Sequence, residues 1–259
     1  QHNNTIFSTV NLVTVETSHP ASHPVTFVLH NKWLIIVHYV EFPFYNSFIE
    51  KSKINHTSFQ DGSNIVSALL EEITEQLADI LENSNHSIEE INHQIFKYSL
   101  TSNGTSKVKK PNFKNIISSI GRNEDILSKT RESLFTLTRM LSFILETPYF
   151  QSHTDKKKVA MLMRDIASLI EHATFLSNKI TFLLDATLGM INIEQSAIIK
   201  IVSVAAVVFF FLFLVASIYG MNFQHMPEIA WHLGYPIALI LMMLSGFLPY
   251  KYFKYKGWL

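Results

Sequence analysis

Cysteine is absent from the 259-residue chain, which excludes disulfides, thiolate metal sites and a cysteine nucleophile. Proline is absent from 149 to 226, so nothing there compels a helix to stop. Lysine and arginine are absent between Lys53 and Lys97, an interval holding Asp61, Glu71, Glu72, Glu75, Asp79, Glu82, Glu89 and Glu90. Such a block either attracts divalent cations or is a solvated helical face. Net charge is absent too: 21 basic and 21 acidic residues cancel, so overall charge gives no pull toward nucleic acid. Paired catalytic carboxylates, a Ser-His-Asp signature, a phosphate loop and a nucleotide fingerprint are all missing, so the chain is read as no enzyme and without an organic cofactor. The first residue is Gln1 and a strand pattern begins at once, so the chain is read as lacking its native N-terminus.

Two long apolar runs are present. Residues 201–219 carry no charge and only two serines, and residues 233–250 form a second run. Each is long enough to cross ~30 Å of hydrocarbon as a helix. Lys200 precedes the first run, Lys251, Lys254 and Lys256 follow the second, and the 220–232 loop has no Lys or Arg. Positive charge stays on the cytoplasmic side, so both termini are expected in the cytoplasm and the loop outside. Trp231, Tyr235, Tyr250, Tyr252 and Trp258 are spaced as interfacial anchors.

The segments before these runs read as α+β. Strands are predicted over 7–15, 27–30 and 33–37, the last two joined by an Asn31-Lys32 turn. Ser63 is a candidate cap for a helix over 65–81 with Ile65, Leu69, Ile73, Leu77 and Ile80 as its apolar stripe. Ser87-Ile88-Glu89-Glu90 has capping-box spacing and opens another helix. Residues 101–110 form a polar loop, Pro111 starts a helix running to about Glu146, and Thr147-Pro148 stops it. From Val159 apolar positions recur in steps of three and four: Leu162, Ile166, Leu169, Ala173, Leu176, Ile180, Leu183, Thr187 and Met190. This heptad seam joins the first apolar run without a strong turn signal, Gly189 alone being weak, and predicts one helix over 156–219. The boundaries are therefore an α/β domain at 1–110, stalk helices at 111–198, a membrane helix at 199–219, a loop at 220–232, a second membrane helix at 233–250 and a basic tail at 251–259.

Ser196, Ser203 and Ser217 fall on a seven-residue spacing with Phe210 between them. Seven residues are nearly two turns, so the serines share one stripe of the helix. A small polar stripe on an apolar membrane helix faces either a partner helix or water. The stripe leads to Gly220-Met221-Asn222. That tripeptide reads either as a helix C-cap or as the mouth of a pore where an amide ring meets a hydrated cation. Glu228 is the loop's one acid, a candidate for concentrating cations. His19, His23, His30 and His38 lack metal-ligand spacing, and His225 stands alone. Asp165 and Asp185 are candidates for a regulatory cation or for surface ion pairs.

Tyr219-Gly220-Met221-Asn222-Phe223, with Met226-Pro227-Glu228 after it, resembles the signature loop of the CorA family of magnesium transport proteins. The stretch from Gly121-Arg122 to Phe143, Arg164-Asp165-Ile166, Ile191-Asn192-Ile193-Glu194-Gln195 and the closing Lys256-Gly257-Trp258-Leu259 resemble its enterobacterial-type branch. The resemblance implies a homopentameric funnel in the bacterial inner membrane. A cytosolic α/β/α part, here partial, and an α-helical stalk would precede a two-helix transmembrane hairpin. The first membrane helix would line the pore through Ser196, Ile199, Ser203, Ala206, Phe210, Phe213 and Ser217. An Asn222 ring, with Gly220 and Met221, would select hydrated Mg²⁺, with Co²⁺ and Ni²⁺ also carried and cytosolic Mg²⁺ closing the pore. Two departures stand out: Phe211 and Phe213 occupy the places of a usual proline and threonine, and Ser196 that of an asparagine. Two other readings remain. One is a zinc transporter of the ZntB type, against which Met221 argues; the other is a membrane-tethered coiled-coil scaffold or sensor.

Overall fold

The computed structural model describes residues 5–15, 19–30, 33–54, 62–101, 111–147, 150, 152–221 and 231–258. Three strands, β1 (Thr5–Val15), β2 (Pro20–His30) and β3 (Trp33–Val37), form an antiparallel sheet in that order. Both β1 and β2 are longer than the apolar pattern predicts, because Thr5, Pro20 and Pro24 carry no hydrophobic signal. The Asn31-Lys32 turn lies outside the described residues, but His30 pairs with Trp33 as that hairpin requires. Pro24 is tolerated within β2 for a specific reason. Its partner Asn11 turns its backbone N–H and C=O outward to Thr136 Oγ1, at 3.2 Å each, and β3 reaches only Thr26. No ladder bond is lost to the missing proline N–H.

Four helices follow in this first compact unit, which spans residues 1–187. The helix α1 (Pro43–Ile54) has no counterpart in the sequence reading. Its signal was Pro43 at the first helical position. Its aromatic start is buried through Phe42 and Phe44, and burial pushes the Tyr45 phenol up to about 12. α2 (Gly62–Thr101) is one helix of 40 residues, where two were predicted. No glycine or proline falls after Gly62 in it, and its buried stripe continues without a gap from Leu77 and Leu81 through Ser84 to Ile88, Ile91 and Ile95. Ser87 caps nothing; its Oγ accepts from Asn123 Nδ2 at 3.0 Å.

α3 (Phe113–Leu145) lies along the sheet, mainly against β1. Its cap is Asn112, whose Oδ1 accepts from the Lys114 and Asn115 amides, so Pro111 precedes the helix instead of opening it. Part of the open edge of β1 is satisfied by α3: besides Asn11 to Thr136, the Val13 amide donates to Ser133 Oγ at 2.9 Å. At these residues α3 covers a strand edge that would otherwise invite association.

The long helix α4 (His153–Tyr219) has 67 residues and begins three residues before its expected start. Its first part belongs to the first unit, where the heptad seam is borne out. Val159, Leu162, Ile166, Ala173, Leu176, Ile180, Leu183 and Thr187 are buried; Leu169 and Met190 are half-buried. Polar bonds fix its register against α2 and α3: Lys158 Nζ donates to Asn64 Oδ1 at 2.9 Å, and Ser177 Oγ donates to Glu124 at 3.0 Å. Ile166 is fully buried in this seam. Ile166→Ala is expected to cost about 2–5 kcal/mol of stability, read as a lower denaturation midpoint.

The second compact unit spans residues 188–259. It holds the remainder of α4 and the helix α5 (Gly234–Tyr255).

Candidate functional site

In the second unit, α4 shows two distinct sides. Val204 and Val215 are buried and Val208, Leu212 and Tyr219 are half-buried, all on one side of the helix. This side meets α5. A Cβ placed on Gly246 would lie 3.3 Å from Leu212 Cδ2, so the absence of a side chain there lets the helices approach. Ser196, Ile199, Ser203, Ala206, Phe210, Phe213 and Ser217 are all exposed. At about 100° per residue, this stripe is centred about 180° from the side that meets α5. The predicted stripe is therefore one continuous face, and α5 leaves it uncovered. Both helices are long and apolar enough to cross a membrane.

At the far end of α4 the helix winds tightly. The Gly220 amide donates to Ala216 O at 2.9 Å and the Met221 amide to Ile218 O at 3.4 Å. Gly220 is not needed for a left-handed backbone; among described glycines only Gly257 has a positive φ. A Cβ at Gly220 would sit 3.2 Å from the Ala216 carbonyl oxygen, a tight contact that glycine avoids. Met221 is exposed. Asn222, His225 and Glu228 lie outside the described residues.

The stripe changes chemistry midway. Phe210 is 62% and Phe213 74% exposed, with Phe209 and Phe211 also turned outward. The Phe210 and Phe211 rings meet edge-on at 5.7 Å. Below them the stripe is small and polar at Ser203 and Ser196; above them Ser217 restores a hydroxyl.

The acidic block of α2 has bases that the sequence order concealed. Lys51 of α1 pairs with Glu72 and, at 3.0 Å, with Glu75; Lys179 of α4 pairs with Glu89. Three of the eight acids are thus structural ion pairs instead of an open cation attractor. Burial pushes the Glu71 carboxyl up. The Lys179 hydrogen bond, with help from Asn92, holds Glu89 below the usual carboxylate value of 4.5. A lowered folded value means the contribution to stability is present above about pH 4.5 and lost as pH falls through the shifted value. Glu89→Gln is expected to lower the melting temperature at pH 7 and to leave it unchanged in acid, checked by melts across pH.

Asp165 and Asp185 are both exposed on α4 and twenty positions apart, so one chain does not bring them together. Among the described residues no group of three or more His, Asp or Glu side chains is placed to hold a metal ion. His30 Nδ1 bonds Thr5 Oγ1 at 2.7 Å and His38 Nδ1 bonds the Val40 carbonyl at 2.8 Å.

An uncovered polar and aromatic stripe on one of two membrane-length helices leaves a face for a partner helix or for water. A family model described as CorA-like Mg²⁺ transporter protein matches residues 1–255, and the chain belongs to that family. It is 35% identical to the magnesium transport protein CorA of Pectobacterium atrosepticum over 93% of this chain and 73% of that protein. It is 40% identical to the protein of the same name in Haemophilus ducreyi, over 74% of this chain and 57% of that one. The fold is similar to that of the complete CorA magnesium transporter from Methanocaldococcus jannaschii. The TM-score is 0.82 at 19% identity, covering 100% of this chain and 78% of that one. It also matches full-length CmaX, with a TM-score of 0.71 at 11% identity over 98% of this chain and 75% of that chain.

Proposed function

We propose that the chain is a passive, gated channel for Mg²⁺ in the bacterial inner membrane, working as a homopentamer with both termini in the cytoplasm. The observation that carries this reading is the placement of the serine-phenylalanine stripe on the side of α4 away from α5. Five copies arranged with α5 outermost turn that stripe toward a common axis. Lipid then meets α5, and water meets Ser196, Ser203 and Ser217. Co²⁺ and Ni²⁺ share the size and charge of hydrated Mg²⁺ and follow the same route.

The residues take the following roles. Gly220 keeps the helix end narrow, and Asn222 amides ring the outer mouth. Mg²⁺ sheds water reluctantly, so the ring acts on the hydrated ion through hydrogen bonds to its water shell. Glu228 raises cation concentration outside that mouth. An inside-negative potential supplies ~2.3 kcal/mol per charge per 100 mV, and about twice that for a divalent ion, so no nucleotide is required. Asp165 and Asp185 are far apart on one chain, so a cytosolic Mg²⁺ that closes the pore through them binds between copies. Met221 and the relatives named for magnesium transport favour Mg²⁺ over a zinc transporter of the ZntB type.

The test is Mg²⁺ uptake into liposomes holding the full chain, under an inside-negative potential and without nucleotide. Uptake that scales with the potential is expected. A correctly assembled oligomer that carries no Mg²⁺ leaves the membrane-tethered scaffold as the better account.

A further inference from the structure

The end of α5 folds back on α4. The Lys256 cap is followed by Gly257 at φ 69°, the Gly257 amide bonds Lys254 O at 3.2 Å, and the Trp258 amide bonds Phe253 O at 3.1 Å. These paired bonds, with a left-handed glycine between them, form a Schellman turn. Its accompanying apolar contact is Phe253 on Trp258, ring centroids 5.2 Å apart. Lys256-Gly257-Trp258 therefore encodes a reversal that turns Trp258 back toward α4.

There, Trp258 and Gly257 close a cleft of about 540 Å³ with Asn192, Ser196, Lys200 and Ile201 of α4. Among the described residues no carboxylate lines it. Among the described residues of this unit there are four lysines, Lys200, Lys251, Lys254 and Lys256, against one acid, Glu194. Lys256 is engaged elsewhere, 5.5 Å from the Tyr252 ring centroid, which leaves Lys200 as the cation of the cleft. The uncharged run of α4 begins at Ile201 and that of α5 ends at Tyr250, so the cleft lies where both helices pass from lipid to water.

We propose that this cleft binds the phosphate of an anionic phospholipid. Lys200 supplies the charge, Asn192 supplies a hydrogen-bond donor, and Trp258 forms the wall beside the glycerol and upper acyl chain. A basic group beside an interfacial tryptophan at the end of a membrane helix matches that ligand in charge, polarity and depth. Ser196, at the rim of the cleft, begins the pore stripe, so the lipid sits beside the foot of the pore helix. The proposal rests on α4 and α5 crossing a membrane.

The test uses the full chain with Trp33→Phe and Trp231→Phe, which leaves Trp258 as the one tryptophan, excited selectively over the tyrosines. It is placed in phosphatidylcholine nanodiscs into which brominated phosphatidylglycerol or brominated phosphatidylcholine is titrated. The anionic lipid is expected to quench Trp258 at mole fractions lower by roughly fivefold, as ~1 kcal/mol per lysine implies. Lys200→Gln brings the ratio to one and Lys200→Arg restores it. Lys254→Gln removes the same charge outside the cleft and leaves the preference intact. Equal quenching by both lipids overturns the anion site while keeping the membrane reading. Equal loss in Lys200→Gln and Lys254→Gln means diffuse surface attraction and also overturns it. Quenching by neither lipid in incorporated protein means a neighbouring copy fills the cleft, and the proposal fails.

Discussion

Asn222→Ala is expected to reduce Mg²⁺ uptake by roughly tenfold or more while the oligomer assembles normally. Hydrogen bonds to a charged partner are worth about 1.5–3 kcal/mol each, and ~1.4 kcal/mol is a factor of ten. In the proposed oligomer the alanine would remove amide oxygens from every copy at once. It changes nothing buried in the first unit, so thermal stability is expected to hold. Uptake and competition by monovalent ions in proteoliposomes check both halves of the expectation. An Asn222→Ala protein that keeps its preference for Mg²⁺ refutes the filter assignment. Gly220 offers an independent arm. Gly220→Val places a Cβ 3.2 Å from the Ala216 carbonyl and crowds the helix end without removing the Asn222 amide.

Phe213→Thr is expected to raise Mg²⁺ flux by roughly tenfold, a barrier lower by ~1.4 kcal/mol. Phe213, 74% exposed, is the most exposed large side chain of the stripe, and Phe210 stands one turn below it. In the proposed oligomer, rings from several copies would meet on one axis as an apolar constriction, which closes by expelling water. A threonine at 213 shrinks each wall and adds a hydroxyl that an ion's water shell can bond. Phe213→Leu keeps the site apolar and is expected to stay slow, which separates wetting from size. Flux in Phe213→Thr equal to that of the parent sinks the constriction. The position matters because proline and threonine are the usual residues here in the resemblance, and this chain has Phe211 and Phe213.

Much of the molecule was legible in the chain itself. Residues 201–219 could only be a membrane-length helix, because no charge or proline interrupts them. The heptad seam from Val159 to Thr187 was readable because burial follows a fixed helical period, and eight of its positions are buried. The stripe of Ser196, Ser203 and Ser217 followed from the same periodicity. Capping chemistry was less reliable. Ser87 had capping-box spacing yet sits inside α2, because the apolar stripe from Leu81 to Ile88 and Ile95 outweighs one local signal. α1 was missed because Pro43 is the only marker at its start.

The sequence by itself determined what is periodic along one chain: two apolar spans, a seam and a polar stripe. Only the tertiary structure decided what depends on a second element. It placed Lys51 and Lys179 beside an acidic block that has no base within it, turning three candidate cation attractors into ion pairs. It put α5 against Val204, Leu212 and Val215, and so left the serine stripe on the opposite side of α4. It also turned Trp258 back toward Lys200 to make a cleft that no spacing reveals. The physical reason is common to all three. Helical period fixes which residues share a face, but which face is covered depends on the surfaces that other elements bring to it.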